Sequence, residues 1–390
     1  MTPQELDALV ADSTWREREF PVCQNKIFLG HAGVTVLPRR VADAVMEYTD
    51  RCARDHQEFG SVIQDMQEAR RSCARLIGAG HDEIALLGPT SLGLSLIANG
   101  IDWRCGDEIV CYHGDYPANV YPWMALEKRG VILRYLEPER PGLITLDLVK
   151  AALTPKTRLV ALASCNFFTG DRIDVDAIGR LLRAEGVLFS LDAIQTLGAF
   201  PTSVEFVDFL SADAHKWMLG PLAIGVVYVR RALFPSHEPT LLGAWNVKSP
   251  NFITQAEIEF VDSAQRYEPG VLNMAGIYGM KAAVDWFLEI GPETVADRVV
   301  RLRNHAYAAF AAMGFAMNGP APGDAGVSGI CTFRHASADM AALFQNLENA
   351  GIVASLRHDR EGRAWLRVAP HFYNTEAELD MVADVLRKAL

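Results

Sequence analysis

"VLFSLDAIQTLGAFPTSVEFVDFLSADAHKWMLGP", residues 187–221, contains two short apolar runs that end on polar and charged side chains. "VLFSLD" and "FLSADA" are rich in branched residues and apolar on both faces, which is typical of strands inside a parallel sheet. The first run ends at Asp192, and Lys216 follows the second among apolar neighbours. Ligands of open parallel sheets collect beyond the carboxyl ends of the strands, so both side chains are predicted to face one crevice.

The same strand pattern recurs through the middle of the chain, separated by segments with helical spacing. The other predicted strands are "EIALLGP", "DEIVCY", "VILRYL", "RLVALAS" and "AIGVVYV". "VADAVMEYTDRCARD" places Val41 and Tyr48 on one helical face, and "DVDAIGRLLRAEG" stops at Gly186. Alternating strands and helices predict an α/β fold with a mainly parallel sheet covered on both faces.

The C-terminal third differs in predicted secondary structure. An irregular polar segment leads into a mostly helical region with few strands. We therefore predict an N-terminal segment (1–35) that packs on the small domain and a large domain (36–250). The remainder (251–390) is predicted to be a crossing segment and a smaller α+β C-terminal domain. Its last helix begins with a capping box formed by Thr375 and Glu378.

The composition excludes several classes of function. The 390 residues are 50% apolar and 22% charged, as in globular proteins, and a net charge of -11 argues against nucleic acid as a partner. No apolar run reaches the roughly 18 residues that cross a bilayer, and the start lacks the features of a signal peptide, so a cytoplasmic protein without membrane contact is predicted. Seven cysteines without a CxxC pair, and the lack of HExxH, predict reduced thiols and no metal site.

Asp192 and Lys216 together have the chemistry that pyridoxal phosphate requires. A lysine among apolar neighbours forms an imine readily, and a carboxylate keeps the pyridine nitrogen protonated, so that the ring accepts electrons. Gln195, one helical turn after Asp192, is placed to reach the ring hydroxyl. Singly, such a lysine is more often a snorkelling side chain and such an aspartate more often a helix N-cap. As a pair, with an order and spacing that match a known enzyme family, they favour the cofactor site.

The stretch "SLDAIQTLGAFP…VDFLSADAHKWMLGPLAIGVVYVR" resembles the cofactor-lysine region of the class-V aminotransferase family. These fold-type-I pyridoxal phosphate enzymes include cysteine desulfurases, isopenicillin N epimerase-like proteins and kynureninase. The resemblance extends from "IFLGHAGVTVLP" to "RVAPHFYNT", and its Asp-x-x-Gln and His-Lys-Trp motifs are specific for the family but not for the reaction. It implies a fold-type-I transferase with a mainly parallel seven-stranded sheet. It also implies pyridoxal 5'-phosphate bound to Lys216 as an internal aldimine, an amino-acid substrate and a homodimer.

The resemblance also implies individual cofactor contacts. They are Thr90, Ser91 and His215 for the phosphate, Tyr116 stacked on the ring, Asn166 near the phenolic oxygen, and Trp245 and Asn246 reaching the phosphate from the partner subunit. Without the resemblance, Thr90 would be read as an N-cap and Tyr116 as an anchor for a turn.

Two positions depart from the family pattern. Asp213 stands where relatives often have serine two residues before the histidine, and an anion there would repel a phosphate that it faced. We expect that Asp213 either turns away or is neutralised by another donor. Val271, in "RYEPGVLN", stands where the family usually has the threonine of an intersubunit phosphate contact.

Three residues are implied for the substrate. Arg367, in "WLRVAPHFYNT", matches the family residue that grips the α-carboxylate with a two-pronged contact, and Arg357 is a second candidate. For each, the alternative is an exposed salt bridge, which fits Arg367 less well because it lies in an apolar strand. His31, in "GHAGVTVLP", matches a loop that closes over the substrate.

The lack of a cysteine at one position in the sequence limits the reactions that the protein could catalyse. Cysteine desulfurases carry a mobile-loop cysteine ahead of the carboxylate arginine, and none occurs between Cys331 and Arg367. Persulfide-forming desulfurase activity is therefore disfavoured, whereas transamination or β-elimination by a C–S lyase is predicted, with Lys216 as the general base. Epimerase-like or kynureninase-like activity is the alternative. The intact motif residues disfavour a non-catalytic binding or regulatory protein, and the lack of GxGxxG disfavours a nicotinamide-dependent dehydrogenase.

Overall fold

The computed structural model describes residues 1–57 and 60–390. The α-helices of these residues are α1 (Pro3–Ala11), α2 (Ser13–Glu19), α3 (Arg39–Arg54), α4 (Gly60–Ile77), α5 (Thr90–Gly100), α6 (Tyr121–Met124), α7 (Leu146–Ala152), α8 (Val175–Ala184), α9 (Met274–Ile290), α10 (Pro292–Ala312), α11 (Met340–Asn349) and α12 (Glu376–Ala389). Within the described ranges, no helix has both the length and the apolar character that crossing a bilayer demands.

The strands form one large sheet and smaller pairings. They are β1 (Ile27–Phe28), β2 (Ile84–Leu86), β3 (Glu108–Cys111), β4 (Ile132–Tyr135), β5 (Thr157–Ala163), β6 (Leu188–Asp192), β7 (Phe209–Asp213), β8 (Gly225–Val229), β9 (Ala316–Asn318), β10 (Cys331–Arg334), β11 (Ile352–Val353), β12 (Ser355–His358) and β13 (Ala364–Val368). Each of the seven strands predicted in the middle of the chain overlaps one of β2 to β8.

The large sheet has seven strands in the order β2-β8-β7-β6-β5-β3-β4. β8 runs antiparallel to both of its neighbours, and the other pairings are parallel. This confirms the predicted α/β class and the mainly parallel seven-stranded sheet.

The inner strands of the large sheet are buried on both faces, which explains why they are apolar without alternation, whereas the edge strand β4 is largely exposed. Phe209 of β7 joins the apolar cluster that includes Leu94 of α5, whereas the next residue, Leu210, joins the cluster that includes Ile178 of α8. Successive strand side chains point to opposite faces, so α5 and α8 cover opposite sides of the sheet. The helices thereby exclude water from both faces, and the edge formed by the strand ends is where polar side chains collect.

The C-terminal part contains a four-stranded antiparallel sheet in the order β12-β13-β10-β9, with α10, α11 and α12 packed in one apolar cluster with it. The N-terminal part contacts this unit, because β1 pairs with β11 and Asp7 pairs with Arg298 of α10. α9 instead packs against α3 and α4. The predicted boundaries at residues 35 and 250 stay a prediction.

The register of the parallel strands brings several polar side chains to one edge. Ala163, the last residue of β5, pairs with Asp192, the last residue of β6, and Asp192 pairs with Ser211 of β7. The segments after these strands therefore begin at nearly the same height, and Lys216 lies three residues beyond the end of β7.

Candidate active site

A cavity of about 290 Å³ opens at this edge of the large sheet. It brings together Thr90, Ser91, Tyr116, Asp192, Gln195, His215, Lys216, Arg357 and Arg367. These residues come from the large sheet and from the β12-β13 hairpin, so the cavity lies between the two sheets.

Lys216 is a buried lysine in the wall of this cavity, with 8% of its surface exposed. Burial lowers the pKa of Lys216 to about 8, a shift that the Asp192 carboxylate opposes and the Arg367 guanidinium reinforces. Its ammonium nitrogen lies 5.3 Å from the centre of the Tyr116 ring. A lysine with such a pKa is a neutral nucleophile or base at mildly alkaline pH.

Asp192 is the buried carboxylate opposite this lysine. Burial raises the pKa of Asp192 to about 6, whereas the backbone N–H of Ile194 and the charge of Lys216 both lower it. Its Oδ1 accepts the Ile194 N–H at 3.1 Å. The carboxylate is thus mostly ionised at neutral pH and is available to a cationic group in the cavity.

Gln195 is locked in place from two sides. Its Oε1 accepts the indole N–H of Trp217 at 2.9 Å, and its Nε2 donates to the carbonyl of Ala32 at 3.2 Å. An amide nitrogen carries two hydrogens, so one N–H of Gln195 remains for a ligand.

The N-terminus of α5 forms another wall of the cavity. Its N-cap is Pro89, which supplies no side-chain cap, and Thr90 and Ser91 both line the cavity. His215 lines it as well. Uncapped N–H groups, two hydroxyls and an imidazole together suit a phosphate group.

Arg357 and Arg367 form the wall contributed by the small sheet. In the β12-β13 pairing Ser355 lies opposite Arg367 and Arg357 lies opposite Trp365, so the two arginines share one face of the sheet. Burial, reinforced by repulsion from Arg357, lowers the pKa of Arg367 to about 9. The Nε atoms of both arginines, and Nη2 of Arg367, are buried without a hydrogen-bond partner among the described residues. Two anionic groups of a ligand would satisfy them.

His31 lies behind the cavity and not in its wall. Its Nδ1 donates to the Ala369 carbonyl at 2.8 Å, and its Nε2 accepts from the Tyr373 hydroxyl at 3.1 Å. Burial holds the pKa of His31 well below its usual range. The loop after His31 does reach the cavity, through Ala32 and Gly33. The structure therefore places the predicted loop at the site but turns its histidine inward.

Asn166 is also outside the cavity wall. Its Oδ1 accepts the backbone N–H groups of Phe168 and Thr169, and its Nδ2 donates to the Gly114 carbonyl. Asp115, which the sequence did not single out, lies beside it with a pKa that burial raises to about 7. Asn166 thus organises its own loop, and a direct contact with a cofactor stays a prediction.

Asn246 and Trp245 lie on the segment that was expected to reach a partner subunit. Both N–H groups of Asn246 are donated within its own chain, to the carbonyls of Leu241 and Arg266, and its Oδ1 accepts from Gly243. The side-chain N–H groups of Asn246 are therefore used within its own chain, and a contact with the phosphate of a partner subunit stays a prediction. Trp245 is half-buried and stays a prediction.

Phe167 and Gly33 are among the cavity residues that were not predicted from the sequence, and both lie beside the arginines. The carbonyl of Phe167 accepts from Nη1 of Arg367, and its ring lies 5.3 Å from that of Tyr116. A Cβ on Gly33 would lie 3.8 Å from Nη2 of Arg357 and 3.9 Å from Nη2 of Arg367. Glycine leaves open the space in front of both guanidinium groups. The glycine of "GHAGV" was the available signal, but only the fold shows what it faces.

The rate at which the cofactor-free protein captures pyridoxal phosphate is expected to rise with pH and level off above about 8. Only the neutral amine attacks an aldehyde, and the pKa of Lys216 is lowered to about 8, so its neutral fraction appears at lower pH than that of an ordinary lysine, whose pKa is about 10.4. Stopped-flow absorbance between pH 6 and 10 measures the rate, with a free alkylamine as the control. A rate that still climbs at about pH 10 would contradict the assignment of Lys216.

Taken together, a buried lysine of lowered pKa, a carboxylate at the end of the neighbouring strand and a phosphate-suited helix terminus define an enzyme site of the pyridoxal phosphate type. The site therefore fits that cofactor on its own geometry.

The comparisons with known proteins agree with this class. The family profile of Aminotransferase class-V matches residues 27–382, and the chain belongs to that family. This confirms the resemblance found in the sequence and the expectation of a pyridoxal phosphate enzyme.

A "Probable cysteine desulfurase" of Methanothermobacter thermautotrophicus is 27% identical over 391 residues, 95% of this chain and 96% of the relative. Among solved structures, a cysteine desulfurase from Thermococcus onnurineus superimposes with a TM-score of 0.89 at 22% identity, covering 96% of this chain and 97% of its own. The cystine C–S lyase C-DES, solved with its product cysteine persulfide, gives a TM-score of 0.84 at 20% identity, covering 95% and 99%. The two structural likenesses establish the fold.

Proposed function

We propose that this protein is a pyridoxal phosphate-dependent lyase that cleaves the Cβ–S bond of an amino acid with a second anionic group, with cystine as the representative substrate. The observation that carries the proposal is the convergence of Arg357 and Arg367 on the cavity that contains Lys216. One guanidinium is enough for an α-carboxylate, and the second suits a second carboxylate.

Each side chain of the cavity has a role in this proposal. Thr90, Ser91 and His215 bind the phosphate, Asp192 pairs with the ring nitrogen, and Gln195 donates to the ring hydroxyl. Tyr116 covers the ring. Arg367 binds the α-carboxylate, because it is the more deeply buried arginine and the Phe167 carbonyl orients it.

The proposed reaction needs one side chain that can accept the proton from Cα of the substrate. Pyridoxal phosphate, when bound, supplies a protonated ring that takes up the electron pair of the Cα–H bond. Lys216, as a free amine beside the bound substrate, would accept the Cα proton as general base. The Cβ–S bond then breaks, and its electron pair leaves with sulfur, which takes a proton. For cystine the products are cysteine persulfide and an enamine that water converts to pyruvate and ammonia.

The absence of a nearby thiol separates this proposal from desulfurase chemistry. No cysteine lines the cavity in the described part of the chain. The turn between β12 and β13 reads "DREGR", and Asp359 closes it by accepting N–H groups of Glu361, Arg363 and Trp365. A tight turn without cysteine has no sulfur acceptor to offer, so sulfur leaves with the product.

Arg357→Gln tests the substrate class. We expect kcat/KM for cystine to fall about 10–100-fold, because charge-assisted hydrogen bonds to one carboxylate are lost. Turnover of S-ethylcysteine, which has a single carboxylate, should change little. Pyruvate released from each substrate is measured in a coupled assay.

The control is Arg360→Gln, a change on the same hairpin at a side chain outside the cavity wall, which contacts His113. Equal losses on both substrates in Arg357→Gln would contradict a second-carboxylate role. Formation of a 2-oxo acid without release of ammonia would contradict lyase activity and indicate transamination.

We also propose a homodimer in the cytoplasm. Apolar side chains are exposed near the cavity and on the segment leading from it, including Val34 (54%), Leu242 (57%), Phe252 (70%), Ile258 (65%) and Val271 (60%). Such a surface favours burial against a second copy. Sedimentation of the purified protein tests this, and a mass equal to one chain would contradict it.

A further inference from the structure

Asp213 is a buried anion beside the wall assigned to a phosphate. It is the last residue of β7 and only 2% exposed. Its carboxylate does not line the cavity. Oδ1 accepts the backbone N–H of Ala214 at 2.8 Å. Oδ2 lies 3.1 Å from Nδ1 of His215 without hydrogen-bond geometry, and both atoms are buried with no hydrogen-bond partner among the described residues. The side chain is therefore turned from the cavity toward the imidazole.

Asp213 also contacts the second phosphate-facing side chain. Its backbone N–H donates to the hydroxyl oxygen of Thr90 at 2.8 Å. A hydroxyl that accepts this bond keeps its own hydrogen free to donate. Thr90 lines the cavity, so its hydrogen is available to a ligand there. Residue 213 thus contacts Thr90 through its backbone N–H and His215 through its carboxylate, and only the second contact depends on the aspartate side chain.

The imidazole is oriented by the same contact. Because Nδ1 faces the Asp213 carboxylate, the nitrogen left for the cavity is Nε2. A phosphate oxygen accepts hydrogen bonds, so Nε2 can donate to it while Nδ1 stays beside the Asp213 carboxylate.

The expected hydroxyl from a partner subunit is missing in this chain. Position 271 is Val271, whose exposed side chain cannot donate a hydrogen bond. The two departures from the family pattern, Asp213 and Val271, therefore concern the same group of the cofactor.

We propose that the Asp213 carboxylate is a positioning group for the cofactor phosphate, which orients the His215 imidazole so that Nε2 donates to the phosphate in place of the hydroxyl that Val271 lacks. This inference rests on the proposed cofactor but not on the proposed substrate.

The test measures affinity for the cofactor and not turnover. The cofactor-free protein is titrated with pyridoxal phosphate and with pyridoxal, which lacks the phosphate. In Asp213→Asn we expect affinity for pyridoxal phosphate to fall about 10–100-fold while affinity for pyridoxal stays within about twofold. The ³¹P resonance of the bound cofactor should also shift toward that of the free cofactor. Asp213→Ser should bind pyridoxal phosphate more tightly than Asp213→Ala, because serine restores a donor.

Asp208→Asn is the control for lost stability, since Asp208 is a buried aspartate at the other end of β7 that pairs with Arg230. Unchanged pyridoxal phosphate affinity in Asp213→Asn would overturn the inference alone. Equal losses for both ligands, matching those of Asp208→Asn, would also overturn it. Failure of the unmodified protein to bind pyridoxal phosphate would overturn the proposed function as well.

Discussion

Lys216→Ala is expected to lower kcat/KM for cystine by a factor of about 10⁴. Lys216 is the buried amine of the cavity wall, with a pKa lowered to about 8, and it acts twice in the proposed reaction. It holds the cofactor before substrate arrives and then carries the Cα proton. Alanine removes both functions and leaves a small space that water can fill.

Borohydride reduction makes this prediction specific. In the unmodified protein, reduction should fix the cofactor to the peptide that contains Lys216, as mass spectrometry would show. Lys216→Ala should still bind pyridoxal phosphate but give no adduct. Lys248→Ala is the matched control, because Lys248 is an exposed lysine paired with Glu259 outside the cavity. Turnover by Lys216→Ala above about a hundredth of the normal rate would remove Lys216 from the mechanism.

Arg367→Gln is expected to lower kcat/KM about 10³-fold, for cystine and for substrates with one carboxylate alike. Arg367 is almost fully buried, and its Nε and Nη2 lack partners among the described residues until a ligand binds. Glutamine offers one N–H pair and no charge. The loss should therefore exceed that of Arg357→Gln, and it should not depend on a second carboxylate.

Turnover measured alongside the cofactor spectrum separates this effect from misfolding. The absorbance of the bound cofactor should stay that of the unmodified protein, since Arg367 contacts the substrate and not the cofactor in the proposed site. Arg363→Gln serves as the control, because Arg363 is an exposed side chain on the adjacent turn, outside the cavity wall, where it pairs with Asp359. A loss confined to cystine would show that the roles of Arg357 and Arg367 are exchanged.

Local patterns in the sequence were enough to predict the strands of the large sheet and the positions of Asp192 and Lys216 at its edge. The strand "FLSADA" is apolar on both faces because it is buried on both, so its pattern is visible without knowing its neighbours. Asp192 and Lys216 follow consecutive parallel strands, and parallel strand ends meet at one edge whatever the rest of the chain does. These two positions, together with the resemblance to the class-V family, therefore predicted the cofactor chemistry.

The tertiary structure alone decided which polar groups face the cavity. His31 and Asn246 match positions near a cofactor in the family. In this structure, however, the side chains of both form hydrogen bonds within their own chain. The hydrogen-bond partner of such a side chain depends on which carbonyl lies within about 3 Å, and sequence spacing does not predict that distance.

Two side-chain contacts at the site also depend on the tertiary structure and not on sequence spacing. Arg357 and Arg367 share a face only because the β12-β13 register places Ser355 opposite Arg367. Asp213 turns toward His215 because burial leaves its carboxylate no solvent to face. The sequence by itself determined the fold class and the Lys216–Asp192 chemistry, since periodicity and strand order are local. The fold decided the anion contacts, since these depend on register and burial between segments far apart in the chain.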